Sequence, residues 1–529
     1  MRVGRRPVNA RLVLALLSGF LLAASFPNFG QGWLAWVGFV PLLLAVRGRS
    51  VRAAACHGWI AGVVFFLVSI YWIPDTISNF TSIPPILAKG VLLLLAAVAA
   101  YSFALLAGVL EWLAAAGISR VLAAPILWVV LEWMRGFVIA EFPWNLMGYS
   151  QLGHLPMAQV ADLGGVYLVS AVLVLSNAAL AEAVSRQREG LREGLATQIL
   201  LAALCPILLW GYGHWRLAQL ESIPYRGSIR VGVAQGNIAQ DQKWDTDLRD
   251  RILAQYLKLT NQAVDAGAQL VAWPEAALPF YFRRDMRSMD LVRLARERGV
   301  DLLVGAPGVE ESSKGSFTPY NQAWLIRADG DVVGPYNKIQ LVPFGEYIPL
   351  GGLFGLIEVA VQSIGEFGRG TEHTIFETAV PSPIPGAAPT GEKRPARFAT
   401  LICYEGIFPS LAREFAAAGA EFLVNISNDA WYGDTSAPQQ HLRMAAMRAI
   451  ENRIPLIRST NTGISAYVTD TGAIGPTSAL FQEAMLVEAV LLRDVPSFYR
   501  SYGDVFLHVC QMLLFMLLLV AGVRRRKAS

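Results

Sequence analysis

Eight apolar runs constrain this chain more than any other feature of its sequence. A bilayer core about 30 Å thick is crossed by roughly 20 apolar residues in a helix, which satisfies its own backbone hydrogen bonds. Seven runs come first: approximately Leu12 to Phe26, Trp33 to Val46, Gly58 to Ile73, Ile86 to Leu110, Val121 to Val138, Gly165 to Val184 and Thr197 to Tyr212. The eighth is Val505 to Val523, and the second is short and broken by Pro41. Composition agrees, because 529 residues with 54% hydrophobic and only 16% charged side chains are too apolar for an ordinary soluble multidomain protein. The net charge of +4 is small and sits in short clusters, so no basic stripe for nucleic acid exists. Arg2, Arg5 and Arg6 before the first run also suit a signal peptide, but no small-residue cleavage site follows. A retained first helix is the simpler expectation.

Cytoplasmic loops carry the excess of Lys and Arg. Arg2, Arg5 and Arg6, then Arg47, Arg49 and Arg52, then Arg186, Arg188 and Arg192, and finally Arg524 to Lys527 all fall on one side if eight spans are counted. The other loops hold little beyond Lys89 and Arg135. This predicts cytoplasmic termini and places the large segment after the seventh run outside the cytoplasm. Trp33, Trp36, Trp72, Trp112, Trp133, Trp144 and Trp210 near run ends read as interfacial anchors.

Three domains follow from the shift in composition: a seven-helix membrane domain over residues 1–220, a mixed-polarity domain over 228–496, and an eighth helix with a basic tail over 504–529. The middle domain alternates strand-like and helix-like segments, which predicts an α/β fold. Strands are expected at Ile229 to Ala234, Gln269 to Trp273, Leu302 to Gly305, Ala323 to Arg327, Phe398 to Cys403 and Phe422 to Ile426, with helices over Asp247 to Ala266 and His441 to Asn452. Ala328-Asp329-Gly330 is a hairpin turn signal, and Pro381 to Pro395 reads as a loop.

Three strand ends carry ionisable residues: Trp273-Pro274-Glu275, Tyr336-Asn337-Lys338 and Ile402-Cys403-Tyr404-Glu405. Each alone has an ordinary reading as a solvated glutamate, a surface lysine or a core cysteine. Ligands of α/β sheets gather beyond the carboxyl ends of strands, so the three are candidates for one site. A cysteine nucleophile needs a base to take its proton and a cation or N–H to hold the oxyanion. Chain order suggests Glu275 as base, Lys338 as electrostatic stabiliser, Cys403 as nucleophile and the Tyr404 N–H as a second oxyanion donor. Of the four cysteines, Cys56, Cys205 and Cys510 lie in apolar runs, and neither a disulfide framework nor a metal pattern is visible.

These motifs, with Pro343 to Glu346 and Asn425 to Trp431, resemble the nitrilase or carbon–nitrogen hydrolase superfamily in order and spacing. That resemblance implies a four-layer α-β-β-α sandwich, a Glu-Lys-Cys triad and a supporting Glu346. The whole chain resembles the membrane-embedded apolipoprotein N-acyltransferase family, which implies a multi-pass inner-membrane enzyme with its catalytic domain on the periplasmic side. By that resemblance Cys403 takes an acyl chain from the sn-1 position of a phospholipid, expected to be phosphatidylethanolamine. The resulting thioester then passes it to the free α-amine of a diacylglyceryl cysteine on an apolipoprotein. Glu346, Tyr404 and Glu405 support the triad, Trp244 lines the substrate site, and neither cofactor nor metal is implied. A monomer is expected, because membrane helices would block the sandwich surface through which soluble nitrilases assemble.

A donor that stays in the bilayer requires a site at the interface. The apolar stretch Gly351 to Gly365 reads either as a segment dipping into the leaflet or as a buried helix. Trp431 to Gly433 reads as a lid or as an ordered loop. Arg448, Glu451 and Arg453 read as helix-surface or packing charges, and His441 has no vacancy to fill as a base. Two competing functions share parts of this pattern: a membrane-anchored amidase or nitrilase that lets water resolve the thioester, and a transporter or scaffold with an inert domain. Eight spans favour a lipid substrate over the first, and spans nearly free of charge other than Lys89 disfavour a transporter.

Overall fold

A computed structural model describes residues 8–80, 83–138, 141–311, 317–343, 345–347, 367–381 and 393–528. The chain forms two compact units, one of Met1–Ser78, Ile83–Ala218 and Tyr502–Ser529, the other of Asn79–Ser82 and Gln219–Ser501.

The first unit is helical. Among the described residues five helical segments are long and apolar enough to cross a membrane: Val51–Ser69, Pro85–Ala115, Ala161–Arg188, Leu195–Glu221 and Val505–Lys527. Ala10–Ala24 and Gly32–Val46 are apolar but shorter. The second expected run is no single helix, since a 3₁₀ turn at Gly32–Trp36 precedes a helix at Val40–Val46 with Pro41 in its first turn, where a missing N–H costs least. The helix of the fifth expected run, Arg120–Met134, stops short of Val138. Two charges fall within that expected run, Glu132 and Arg135, and both are buried. Glu132 accepts from the Met147 N–H at 2.6 Å and Arg135 donates to the Trp144 carbonyl, so the pair anchors the following loop. Trp72 and Trp144 are buried with ring centroids 5.1 Å apart, which makes these two packing residues rather than interfacial anchors.

The second unit is the α/β sandwich. Its strands are β1 (Gly227–Gln235), β2 (Leu270–Ala272), β3 (Asp301–Glu311), β4 (Phe317–Ile326), β5 (Val332–Asn337), β6 (Phe376–Pro381), β7 (Lys393–Ile402), β8 (Phe422–Ser427), β9 (Leu456–Thr460), β10 (Ala466–Val468), β11 (Ile474–Thr477) and β12 (Ala484–Leu492). They form two six-stranded sheets, β12-β1-β2-β3-β4-β5 and β11-β10-β9-β8-β7-β6. Each sheet has a parallel centre, β1-β2-β3 in one and β7-β8-β9 in the other, flanked by antiparallel strands. The inner faces meet through polar cross-links as well as apolar packing: Tyr467 Oη donates to the Val231 carbonyl at 2.8 Å, and Ser459 Oγ to that of Ala272 at 2.9 Å. Helices Arg249–Asp265 and Ser288–Arg298 pack on the first sheet, and Pro409–Ala417 and Ala437–Asn452 on the second. Under the first helix pair Tyr256 stacks on Trp273 at 4.9 Å, and Trp273 Nε1 donates to Thr260 Oγ1 at 2.8 Å.

The hairpin turn at Ala328-Asp329-Gly330 joins β4 to β5, with Gly330 at φ 87°. Strand β5 follows the expected hairpin turn and ends at Asn337, as the strand end expected at Tyr336-Asn337-Lys338 implies, whereas β6 and β9–β12 are not foreseen, because they lack a run of β-branched residues bounded by turn signals. Pro381 closes β6 and Lys393 opens β7, so the loop expected over Pro381 to Pro395 is shorter at both ends, and its residues 382–392 lie outside the described residues. The apolar stretch at 351–365 also lies outside them.

Candidate active site

The site forms where β2, β5, β7 and β8 end. After β2, Trp273-Pro274-Glu275 turns sharply into Ala276 at φ 45°, and this turn crosses β3 at Gly305. A Cβ on Gly305 would lie 2.3 Å from the Pro274 carbonyl and 2.8 Å from the Glu275 Cα, so only glycine admits the crossing. Beyond β5, the Lys338 N–H bonds the Asn321 carbonyl at 2.9 Å and its own carbonyl accepts from Gly370 at 2.8 Å, which fixes the lysine stem. Cys403 is not the last strand residue. It begins a 3₁₀ turn with φ 52°, a left-handed conformation that costs a non-glycine residue about 1 kcal/mol and turns it out of the β7 pleat.

Glu275 and Lys338 meet: Lys338 Nζ lies 3.3 Å from Glu275 Oε1 and 2.9 Å from Glu346 Oε1. Asn321 Nδ2 touches the same two oxygens at 2.7 and 3.0 Å, so the carboxylates are clamped from two directions. Glu275 Oε2 accepts from the Asn428 N–H at 2.9 Å, and Glu346 Oε2 from Val342 at 2.8 Å. Burial opposes the charge on Lys338, but the two carboxylates win and hold its ammonium above the ordinary lysine value. Cys403 is 5% exposed. Burial and then the charge of Glu275 push its thiol well above the usual value, while Lys338 opposes them. The cysteine is therefore a protonated thiol at rest.

Glu405 does not line this cluster but ties its elements together. Its oxygens accept from Tyr336 Oη at 2.8 and 2.9 Å, from Ile339 and Gln340 N–H at 2.7 and 3.0 Å, and from Ile402 N–H at 2.6 Å. The Lys338 loop and the Cys403 turn thus hang on one buried carboxylate, which burial pushes up to about 7 against those donors. A second network braces Cys403 from behind. Asn425 Nδ2 and His441 Nε2 lie 3.2 and 3.1 Å from the Cys403 carbonyl. Arg458 Nη2 lies 2.8 Å from Asp429 and 3.0 Å from His441 Nδ1. Because Arg458 always donates, His441 Nδ1 accepts and Nε2 carries the proton given to the Cys403 carbonyl. Burial and Arg458 hold His441 below its ordinary value, consistent with a neutral ring.

Tyr404 is buried with its ring 5.2 Å from Phe408, and Trp244 is 50% exposed on the loop after β1. Asp429 to Tyr432 form a 3₁₀ turn capped by Gly433 at φ 60°. Arg448, Glu451 and Arg453 are all fully buried, with Arg448 paired to Glu451 at 3.0 Å, so the surface reading of these charges is wrong and the packing reading holds. Sequence reasoning missed Asn321, Asp429, Arg458 and Lys243. Asn428 and Asp429 lay inside a quoted motif without a role, whereas Asn321 within β4 gave no signal. Lys243 is buried, and its Nζ donates to the Glu275 carbonyl at 3.0 Å.

The profile of the apolipoprotein N-acyltransferase N-terminal domain matches residues 18–179, and that of the carbon–nitrogen hydrolases residues 230–499. A protein of Geobacter metallireducens named apolipoprotein N-acyltransferase is 38% identical over 94% of this chain and 92% of its own length. One of Gloeobacter violaceus with the same name is 34% identical over 98% and 95%. Among solved structures, an amidase from the nitrilase superfamily of Nesterenkonia AN1 is similar over 54% of this chain and 98% of its own, with 22% identity and a TM-score of 0.38.

Proposed function

Because this chain belongs to the apolipoprotein N-acyltransferase family, a family of bacterial membrane acyltransferases that mature lipoproteins, we propose that Cys403 is the nucleophile of a two-step acyl transfer with Glu275 as its base. Glu275 takes the thiol proton as sulfur attacks the sn-1 ester carbonyl of a phospholipid, and the oxyanion forms against Lys338 and the Tyr404 N–H. Collapse breaks the ester C–O bond, the leaving alkoxide takes the proton from Glu275, and a lysophospholipid departs from the Cys403 thioester. The α-amine of a diacylglyceryl cysteine then attacks the thioester. Glu275 accepts the amine proton and returns it to the departing sulfur, leaving an amide and the free thiol.

The contact of Lys338 with both Glu275 and Glu346 supports this reading most. A lysine committed to two carboxylates keeps its charge where an oxyanion develops, and a carboxylate already beside a cation can hold a proton only transiently. Glu405 fixes the Lys338 loop relative to the Cys403 turn, and Trp244 contacts substrate. Phosphatidylethanolamine is the donor, the chain acts as a monomer, and the sandwich faces the periplasm while both termini face the cytoplasm.

Intact-mass analysis of the purified enzyme with phospholipid tests the first step, and a diacylated lipopeptide with a free N-terminal cysteine tests the second. The expected result is a fatty-acyl adduct on wild type that Cys403→Ser lacks and that moves to the lipopeptide. No adduct from phospholipid, with one from a small amide, would overturn the transferase mechanism and favour an amidase.

A further inference from the structure

We propose that Lys243 is a second positioning cation of this site: it pins the main chain of Glu275 and supplies the positive charge against which the Cys403 thiolate forms. This rests on the reading of Cys403 as nucleophile.

Lys243 lies on the loop between β1 and the helix Arg249–Asp265, beside the exposed Trp244, yet its own side chain is 2% exposed. Its Nζ donates to the carbonyl of Glu275, the residue in front of the positive-φ Ala276. An ammonium has three N–H donors, and burying it without an anion is costly. Among the described residues no carboxylate forms an ion pair with Lys243. Asp241 and Asp245, on its own loop, are exposed. A buried ammonium satisfied by one carbonyl is suited to meet an anion that appears during the reaction.

Charge counting identifies that anion. Lys338 faces two carboxylates, Glu275 and Glu346, an excess of one negative charge. Asp429 is matched by Arg458, His441 beside them is neutral, and Tyr432 stays protonated because burial and nearby Cys403 push its hydroxyl well above the usual value. Glu405 spends its oxygens on Tyr336 and three backbone N–H groups. With Lys243 counted, the Glu275, Glu346, Lys338 and Lys243 group is neutral, and passing the thiol proton to Glu275 keeps the site neutral while its negative charge moves from the carboxylate to sulfur. Without Lys243 the thiolate would form in a pocket already negative, and each charge beyond neutrality is expensive in a buried site.

Burial lowers Lys243 to about 8, with Glu275 and then Cys403 pulling it back up. The thiol and the ammonium therefore titrate as a pair: loss of one proton leaves the remaining one shared between sulfur and nitrogen. Proton transfer to Glu275 during the reaction proceeds with Lys243 still charged.

The test is the pH profile of Cys403 alkylation by iodoacetamide, read by intact mass on the full chain with Cys56, Cys205 and Cys510 replaced by alanine. The rate in this background is expected to rise to a shoulder near pH 8, where the pair loses its first proton. Lys243→Gln is expected to be about tenfold slower or more at that pH, one unit of lost coupling, without the shoulder. Lys243→Arg, which cannot lose its charge, is expected to lose the shoulder and stay within about threefold of the parent rate. A Lys243→Gln profile that keeps the shoulder, at the same rate or at one uniformly lowered, overturns the proposal and leaves Lys243 a packing residue. If thermal melting shows Lys243→Gln unfolded, Lys243→Arg decides alone, a retained shoulder overturning the proposal. Phospholipid incubation of the wild type separates the two readings: no acyl adduct sinks Cys403 as nucleophile, whereas an adduct with unchanged Lys243 profiles sinks only this inference.

Discussion

The ammonium of Lys338 sits between two carboxylates that are not equivalent. Glu275 also accepts from Asn321 and Asn428, and Glu346 from Asn321 and Val342, so both are held in place independently of the lysine. Removing the charge of Glu346 leaves Glu275, the proposed proton acceptor, intact but loosens the clamp. Glu346→Gln is expected to slow thioester formation about 10- to 100-fold, with the Cys403 adduct still detectable; Glu275→Gln is expected to abolish it. Rates of adduct formation by mass spectrometry check both, and equal losses for the two substitutions would contradict the division of roles. His441 belongs to stability rather than proton transfer. Burial and Arg458 depress its folded value, so the unfolded chain binds the extra proton first, and stability falls as pH drops below about 6.5. The slope from this group is up to about 1.4 kcal/mol per pH unit. Denaturant melts of wild type between about pH 5 and 7 should show it, and His441→Gln should flatten the curve, even if it lowers it throughout.

Two glycine contacts decide how elements approach. At Gly305 the crossing β2 turn lies closer than a Cβ permits, so Gly305→Ala must push Glu275 outward. A displacement on the order of 1 Å at a reacting group costs about 100-fold in rate, while the sandwich around it is otherwise unchanged. The expected outcome is a folded enzyme, by its melting curve, with strongly reduced acyl-adduct formation. In the helical unit, Gly58 and Gly62 on helix Val51–Ser69 face Tyr101–Ala115, where a Cβ on Gly58 would lie 2.2 Å from the Phe103 carbonyl. Small residues four apart let two membrane helices touch backbone to backbone. Gly58→Leu should separate them, destabilising the unit by about 3 kcal/mol and lowering the melting temperature in detergent. Gly90, which has open space around its Cβ position, should tolerate alanine.

At the scale of the whole molecule, the alternating basic clusters predict sidedness. In intact spheroplasts a membrane-impermeant maleimide should label Met286→Cys, the most exposed of the sandwich methionines, and spare Gln187→Cys at the exposed C-terminal end of helix Ala161–Arg188, both in a background lacking Cys56. Labelling of the second and not the first would invert the proposed orientation.

The composition shift at residue 220 and the nitrilase-like order of Trp273-Pro274-Glu275, Lys338 and Cys403 were legible because each is a local signal: apolar length, a strand end, a motif. So was the hairpin at Asp329-Gly330. Less was legible where contacts span the chain. Asn321 reads as one more polar residue in a strand, but the sheet order β2-β3-β4-β5 brings its amide onto Glu275 and Glu346, 46 and 25 residues away. Arg448 and Glu451 at helical spacing look solvated until the helix is covered, and Glu132 and Arg135 look like a span end until the loop at Trp144 folds over them. The sequence by itself determined the class of chain and the candidates for its chemistry, since hydrophobic length and side-chain type are properties of the segment alone. Only the tertiary structure decided which polar groups share a pocket and which charges are buried, because burial and charge compensation depend on neighbours that the chain brings together from hundreds of residues apart.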